Sequence, residues 1–286
     1  MSNYQIITDS CCDFTQEMYR QYRVAHAPLS ILYRGAVHDN FSDSDQLHAF
    51  YESLRQGENA STAAVNPEGW ANIMEPILEN GEDILCLTFS SALSTTSQSA
   101  SIAAAELGEK YPQRRIRVVD TLCAALGQGL LVVNACRRRD EGMELDELTA
   151  WCEENKLRLC HWVTVDDLNH LKRGGRISAA TALVGGMLHI KPIIHVDNEG
   201  KLVNVAKCRG RKAAMEHLAD KLAQGATDYS TIAIAHGDCP EDAKALEAMI
   251  RSRCNVETVI TGYVGAVIGA HTGPGVLVVF YLGNNR

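Results

Sequence analysis

Short apolar runs alternate with segments of helical period through the first half of the chain, and no other feature constrains the fold as much. Gln5 to Thr8, Leu29 to Tyr33, Ile84 to Phe89 and Ile116 to Asp120 read as strands. Between them, apolar residues recur at helical spacing over Phe14 to Tyr22, Ser44 to Arg55, Pro67 to Glu79, Ser94 to Gly108 and Ala124 to Asp140. Alternating strand and helix predict a mostly parallel sheet covered on both faces, with ligands bound beyond the carboxyl ends of its strands.

The second half has a different rhythm. Ile193 to Val196 and Leu202 to Ala206 flank Asp197-Asn198-Glu199-Gly200, whose composition is that of a hairpin turn, so antiparallel pairing is expected. Further strands are predicted at Cys160 to Val165, Thr231 to His236, Val256 to Thr261 and Val276 to Leu282, with helices at Arg211 to Ala223 and Glu241 to Arg251. A chain of 286 residues can form two domains. The expected division is an N-terminal α/β domain at 1–160 and a C-terminal α+β domain at 161–286, the latter with a mixed or antiparallel sheet. A site between the halves would be lined by both.

A formal net charge of −8 disfavours non-specific nucleic-acid binding, which needs clustered cations to displace counterions. Arg137-Arg138-Arg139 fits a solvated helix C-terminus, whereas Arg173, Arg176, Arg209, Arg211 and Lys212 fall near other motifs. Met1 to Gln5 does not begin a signal peptide, and no apolar run reaches bilayer length. A soluble cytoplasmic protein is therefore expected. The ten cysteines contain no CxxC and no zinc spacing, so most are read as small core residues, the vicinal Cys11-Cys12 included.

Four segments carry polar chemistry. In Phe89-Ser90-Ser91-Ala92-Leu93-Ser94-Thr95-Thr96-Ser97-Gln98-Ser99 a strand ends in hydroxyls before a helix, and free backbone N–H groups there would favour an anion; helix capping is the plainer use. Ser61-Thr62, before Asn66-Pro67, and Thr8-Asp9-Ser10, after the first strand, could converge on the same ligand. Gly265 to Gly275 reads as a shaped loop holding His271 and Thr272 among four glycines, implying unusual backbone angles or close approach. Leu171 to Ser178 precedes an apolar helix, Ala179 to Ile190, which is either plain core or the wall of an apolar channel. Phosphate-loop, dinucleotide, nucleophile-elbow and HExxH motifs are absent.

These motifs, with Pro28-Leu29, Val119-Asp120-Thr121 and Gly127-Gln128-Gly129, resemble the DegV family of bacterial fatty-acid-binding proteins over nearly the whole chain. The resemblance implies a two-domain fold with a long-chain fatty acid buried in an apolar tunnel and no other cofactor. Its carboxylate would be held by Thr62, His271 and a serine of the Ser90 to Ser94 loop, Ser94 being preferred, with Ser91, Thr95 and Thr272 in the same head-group set. It also implies a partner, a separate ATP-dependent fatty acid kinase that forms the acyl phosphate, so no catalytic residue is assigned to this chain. Arg209 matches a family arginine near the head-group opening, where it would dock the kinase or an anionic membrane surface. The chain departs from the family at Ser94-Thr95-Thr96-Ser97, usually Ser-Gly-Thr-Tyr, and at Thr62-Ala63-Ala64-Val65, usually Thr-Ser-Gln-Pro. Both departures alter hydroxyl placement around the head group. A bound carboxylate should favour protonated His271.

Two other classes fit the residues alone. One is a hydrolase or transferase acting on a small acyl or phosphate ester, with Ser91 or Ser94 as nucleophile, His271 as base and Asp9 or Asp120 nearby. The other is a regulatory interaction module that binds no lipid.

Overall fold

The computed structural model describes residues 3–177 and 189–286. The elements run β1 (Tyr4–Asp9), α1 (Gln16–Tyr22), β2 (Ala25–Ala27), β3 (Ser30–Tyr33), β4 (Ala36–Asp39), α2 (Ser44–Arg55), β5 (Ser61–Ala63), α3 (Pro67–Glu79), β6 (Asp83–Thr88), α4 (Thr96–Lys110), β7 (Ile116–Asp120), α5 (Ala125–Asp140) and α6 (Leu145–Asn155). They continue with β8 (Leu159–Thr164), α7 (Leu168–Arg173), β9 (Ile190–Val196), β10 (Leu202–Arg209), α8 (Arg211–Gly225), β11 (Thr231–His236), α9 (Pro240–Arg251), β12 (Thr258–Tyr263), α10 (Ala266–Thr272) and β13 (Leu277–Leu282).

A four-stranded sheet in the order β2-β1-β6-β7 is parallel throughout. Its central strand β6 is buried at every residue, as expected where helices cover both faces. Period-two alternation sends Ile6, Leu85 and Leu87 to the face under α5. Ile7, Ile84 and Cys86 go to the other face, against Trp70 and Met74 of α3 and Ala100 and Ala103 of α4. The second sheet, β10-β9-β8-β13-β11-β12, is antiparallel except for its β11–β12 pair. Asp197 closes the β9–β10 hairpin by accepting from the N–H groups of Glu199 and Lys201 at 3.0 and 2.8 Å. Helices α8 and α9 cover one face of this sheet.

The opposite face of the second sheet meets α5, which thus lies between both sheets, with twelve of its sixteen residues buried. Such close contact depends on Gly127, where an added Cβ would lie 2.2 Å from His161 Nε2 and 2.7 Å from Phe280. Arg139, near the end of α5, is buried and donates to the carbonyl of Tyr22 at 3.0 Å, and Arg138 lies over the Trp151 ring, so of this basic run only Arg137 is exposed to solvent as expected.

Three expectations need correction. The run Leu29 to Tyr33 does not join the parallel sheet; β3 forms a separate antiparallel sheet in the order β4-β3-β5, and β2 takes the parallel edge. The glycine-rich stretch bearing His271 is not a loop but the short helix α10, followed by a turn. The helix expected at Ala179 to Ile190 lies, like Ser178, outside the described residues except at its end, where Ile190 opens β9 instead. Among the described residues no helix is long and apolar enough to cross a membrane.

Candidate functional site

A cavity of about 520 Å³ opens where the loops after the parallel strands face the second sheet. Its walls are mainly apolar, including Leu29, Phe89, Leu93, Val163, Ile194 and Phe280. His161 is the polar exception in the depth of the wall, and both its ring nitrogens are already engaged. Nδ1 faces the Leu159 carbonyl at 2.9 Å and Nε2 accepts from the Ala124 N–H at 3.2 Å, while burial holds the ring neutral. Thr62, Arg176 and His271 also line a second cavity of about 350 Å³, so these three stand where the two spaces meet.

Helix α10 sets His271 in place through contacts that its glycines permit. The Val267 N–H donates to Asn40 Oδ1 at 2.9 Å, and Gly269 lies under Tyr51, whose hydroxyl donates to the Val264 carbonyl at 2.8 Å. Gly273, at φ +77°, ends the helix in the left-handed region that favours glycine. His271 Nε2 then lies 2.8 Å from Oγ1 of Thr62, the middle residue of β5. Among the described residues Nδ1 is buried without a partner, and it faces the α-carbon side of Gly174. Burial first, and the Arg176 cation second, push the imidazole down to about 4, so it is neutral at physiological pH. With the proton on Nε2, His271 donates to Thr62 and Nδ1 is left as a lone pair rather than an orphaned N–H, the less costly arrangement.

The 89–95 loop differs from the expectation of free N–H groups, because nearly all of its amides are already bonded. Phe89 and Ser91 donate to Asp9 and Asp120, Ser90 to the Cys123 carbonyl, Ala92 to Ser90 Oγ, and Leu93 and Ser94 to the Ser90 carbonyl. What the loop offers a ligand is therefore hydroxyls. Ser94 Oγ lies 2.8 Å from Thr96 Oγ1 and accepts the Thr96 N–H at 3.2 Å, a local turn contact at the start of α4.

The cavity brings together Thr62, Ser91, Ser94, Thr95, His271 and Thr272. Thr272 is buried and its hydroxyl donates back to the Ile268 carbonyl at 3.2 Å. Arg209 is not among the cavity's lining residues; it is exposed at the end of β10, opposite Ile190. Among the described residues neither Ser91 nor Ser94 is bonded to His271, whose contact is with Thr62. Arg176 is a site residue the sequence reading left unassigned: its Nε donates to the Leu93 carbonyl at 3.1 Å, tying the α7 end to the serine loop. Its place beside Gly174-Gly175 was the available signal. The thiols of Cys11 and Cys12 are buried in the core, which pushes both up, away from reactivity.

A family model described as "Uncharacterised protein, DegV family" matches residues 3–284. A DegV domain-containing protein of Clostridium perfringens (strain 13 / Type A) is 43% identical, over 100% of this chain and 99% of its own. Among solved structures, one from Thermus thermophilus described as fatty acid binding of a DegV family protein has a TM-score of 0.88 at 30% identity, covering 98% of this chain and 99% of that one. Another, described as DegV, a fatty acid binding protein from Bacillus subtilis, has a TM-score of 0.85 at 28% identity, covering 99% and 100%.

Proposed function

The chain belongs to the DegV family, and from that premise we propose that it binds a long-chain fatty acid in the 520 Å³ cavity and presents the carboxyl end to a separate ATP-dependent fatty acid kinase. The observation that carries this reading is the cavity itself, apolar over most of its wall, with Thr62, Arg176 and His271 shared with the neighbouring space. Its volume falls within the ~300–1,000 Å³ typical of small-ligand sites. About fourteen buried methylenes contribute on the order of 11 kcal/mol before association costs, so the chain supplies affinity and the polar groups supply orientation. The relatives from Thermus thermophilus and Bacillus subtilis, described as fatty-acid-binding, support the same ligand class.

At the head group, His271 donates through Nε2 to Thr62, which leaves the threonine's own proton for a carboxylate oxygen. Ser94 serves as a second hydroxyl, with Ser91, Thr95 and Thr272 around it. Chemistry on the carboxyl belongs to the kinase, and Arg209 belongs to the docking face toward that partner or an anionic membrane. The setting is the cytoplasm. The domain division expected at 1–160 and 161–286 is part of the same proposal; the sheets, each drawing all its strands from one side of residues 158–159, move its boundary to just before β8.

Native mass spectrometry and organic extraction of freshly expressed protein test the proposal. A stoichiometric acyl chain is expected; repeated recovery of empty protein that takes up no added fatty acid would overturn it.

A further inference from the structure

The two strands that flank β6 in the parallel sheet, β1 and β7, both end in an aspartate, and both carboxylates turn onto the loop that leaves β6. Asp9 is fully buried and uses its two oxygens separately: Oδ2 accepts the Phe89 N–H at 2.7 Å and Oδ1 accepts the Cys11 N–H at 3.0 Å. Asp120 uses one oxygen twice, Oδ1 accepting the N–H groups of Ser91 and Leu122, each at 3.1 Å. Between these anchors the Ser90 hydroxyl donates to the Gly200 carbonyl of the β9–β10 hairpin at 2.9 Å.

The loop is therefore pinned at three successive residues, from three directions, immediately before it reaches the cavity. The Asp120 contact also holds Leu122 at φ +53°, a conformation that a leucine adopts only when its surroundings impose it. Burial raises Asp9 to about 6 even though both its oxygens accept hydrogen bonds, so the fold sustains a cost there that helix capping alone does not require. Both aspartates take N–H groups that an incoming anion would otherwise use. Recognition at the cavity is left to side-chain hydroxyls, whose positions depend on this backbone.

We infer that Asp9 and Asp120 are positioning residues that hold the 89–95 backbone so that the Ser91 and Ser94 hydroxyls meet the ligand's carboxylate. The inference rests on the proposed fatty-acid site. Neither aspartate touches the ligand. Their effect passes through the loop, and it acts on the preference for an acid over a neutral head group rather than on acyl-chain burial.

The different use of the oxygens gives the test. Affinities for oleate and for oleyl alcohol are measured by displacement of a fluorescent fatty acid, on folded protein, and their ratio is the readout. In Asp120→Asn the retained Oδ1 still accepts both N–H groups, so the ratio stays at the wild-type value, whereas Asp120→Ala lowers it about tenfold, the effect of one lost charge-assisted hydrogen bond. In Asp9→Asn the new NH₂ faces an N–H donor whichever way the amide turns, so the ratio falls about tenfold while alcohol affinity is held. A merely structural role moves the melting temperature and leaves the ratio unchanged. A wild-type ratio retained in both Asp9→Asn and Asp120→Ala overturns the inference, as does an equal fall in Asp120→Asn and Asp120→Ala. Should Asp9→Asn not fold, the Asp120 pair decides alone. Thr62→Ala is the control for the underlying site. A ratio near one in the wild type removes the head-group reading, an outcome distinct from unchanged variants on a selective wild type.

Discussion

The neutral His271 makes a quantitative prediction about acid stability. Burial and Arg176 lower its folded-state value from 6.5 to about 4, so the unfolded chain holds the proton more tightly than the native one. Between those two pH values the unfolded state carries more protons, and stability present above pH 6.5 is lost as pH falls toward 4. At about 1.4 kcal/mol for each tenfold change in proton affinity, the full loss is about 3 kcal/mol, of which about 2.5 kcal/mol is gone by pH 4.5. Asp9 works in the opposite sense: burial raises it to about 6, so its native form gains a proton first and acidification below pH 6 relieves a cost. The wild-type curve alone therefore mixes two signs. Urea denaturation of wild type and His271→Gln between pH 7.5 and 4.5 separates them, because the glutamine can still meet Thr62 but does not titrate. The difference between the two proteins should change by about 2.5 kcal/mol over that range. A flat difference would refute the buried, neutral imidazole. With saturating fatty acid the change should shrink, since a carboxylate beside the ring favours its protonated form.

Three further outcomes follow from contacts already described. Thr62→Ala leaves both nitrogens of His271 without a partner, and fatty acid affinity should fall about tenfold while unfolding stays cooperative, as read by displacement and calorimetry. Gly127→Ala places a Cβ against His161 and Phe280 in contacts that α5 cannot relax, and denaturation should show a loss of about 1–3 kcal/mol; unchanged stability would mean that the two sheets can part around α5. Cys11 and Cys12 should stay unmodified by iodoacetamide in the native protein at pH 8 and react once it is unfolded, with mass spectrometry of the peptide reporting both states.

The legible parts of the fold are those whose causes are local. Helices α2 and α3 begin at Asp43 and Asn66, whose side chains accept from Gln46 and Gly69, and Pro67 fits the first turn of α3 because no N–H is needed there. Their stripes of apolar residues then repeat at helical period. The misplacement of β3 has a different origin: an apolar run reports burial, not the partner strand. The alternation of buried Ile31, exposed Leu32 and buried Tyr33 was the trace of a one-sided sheet, and it is too short to outweigh the surrounding α/β rhythm. Helix α10 was invisible for a thermodynamic reason. Glycine costs a helix about 1 kcal/mol relative to alanine, and in these seven residues the deficit is offset by Asn40 and Tyr51, more than two hundred positions away in sequence.

The same distinction applies at the site and bears on how its chemistry is specified. Residue types at Thr62, Ser94 and His271 were readable, but the 2.8 Å contact between Thr62 and His271 joins residues 209 positions apart, and no spacing rule reaches across that interval. The serine loop shows the converse. Its hydroxyls were legible and its amides were misjudged, because Asp9 and Asp120, which occupy them, arrive from neighbouring strands through the register of a parallel sheet. A helix N-terminus with open N–H groups accepts many anions, phosphate included. Once those groups are taken, the remaining donors are a few hydroxyls, one of them bonded to a neutral imidazole, and these lie at the mouth of an apolar cavity. Such a mouth favours a carboxylate that brings its own apolar chain over a small, strongly hydrated anion, because only the former recovers by chain burial what its head group loses in leaving water.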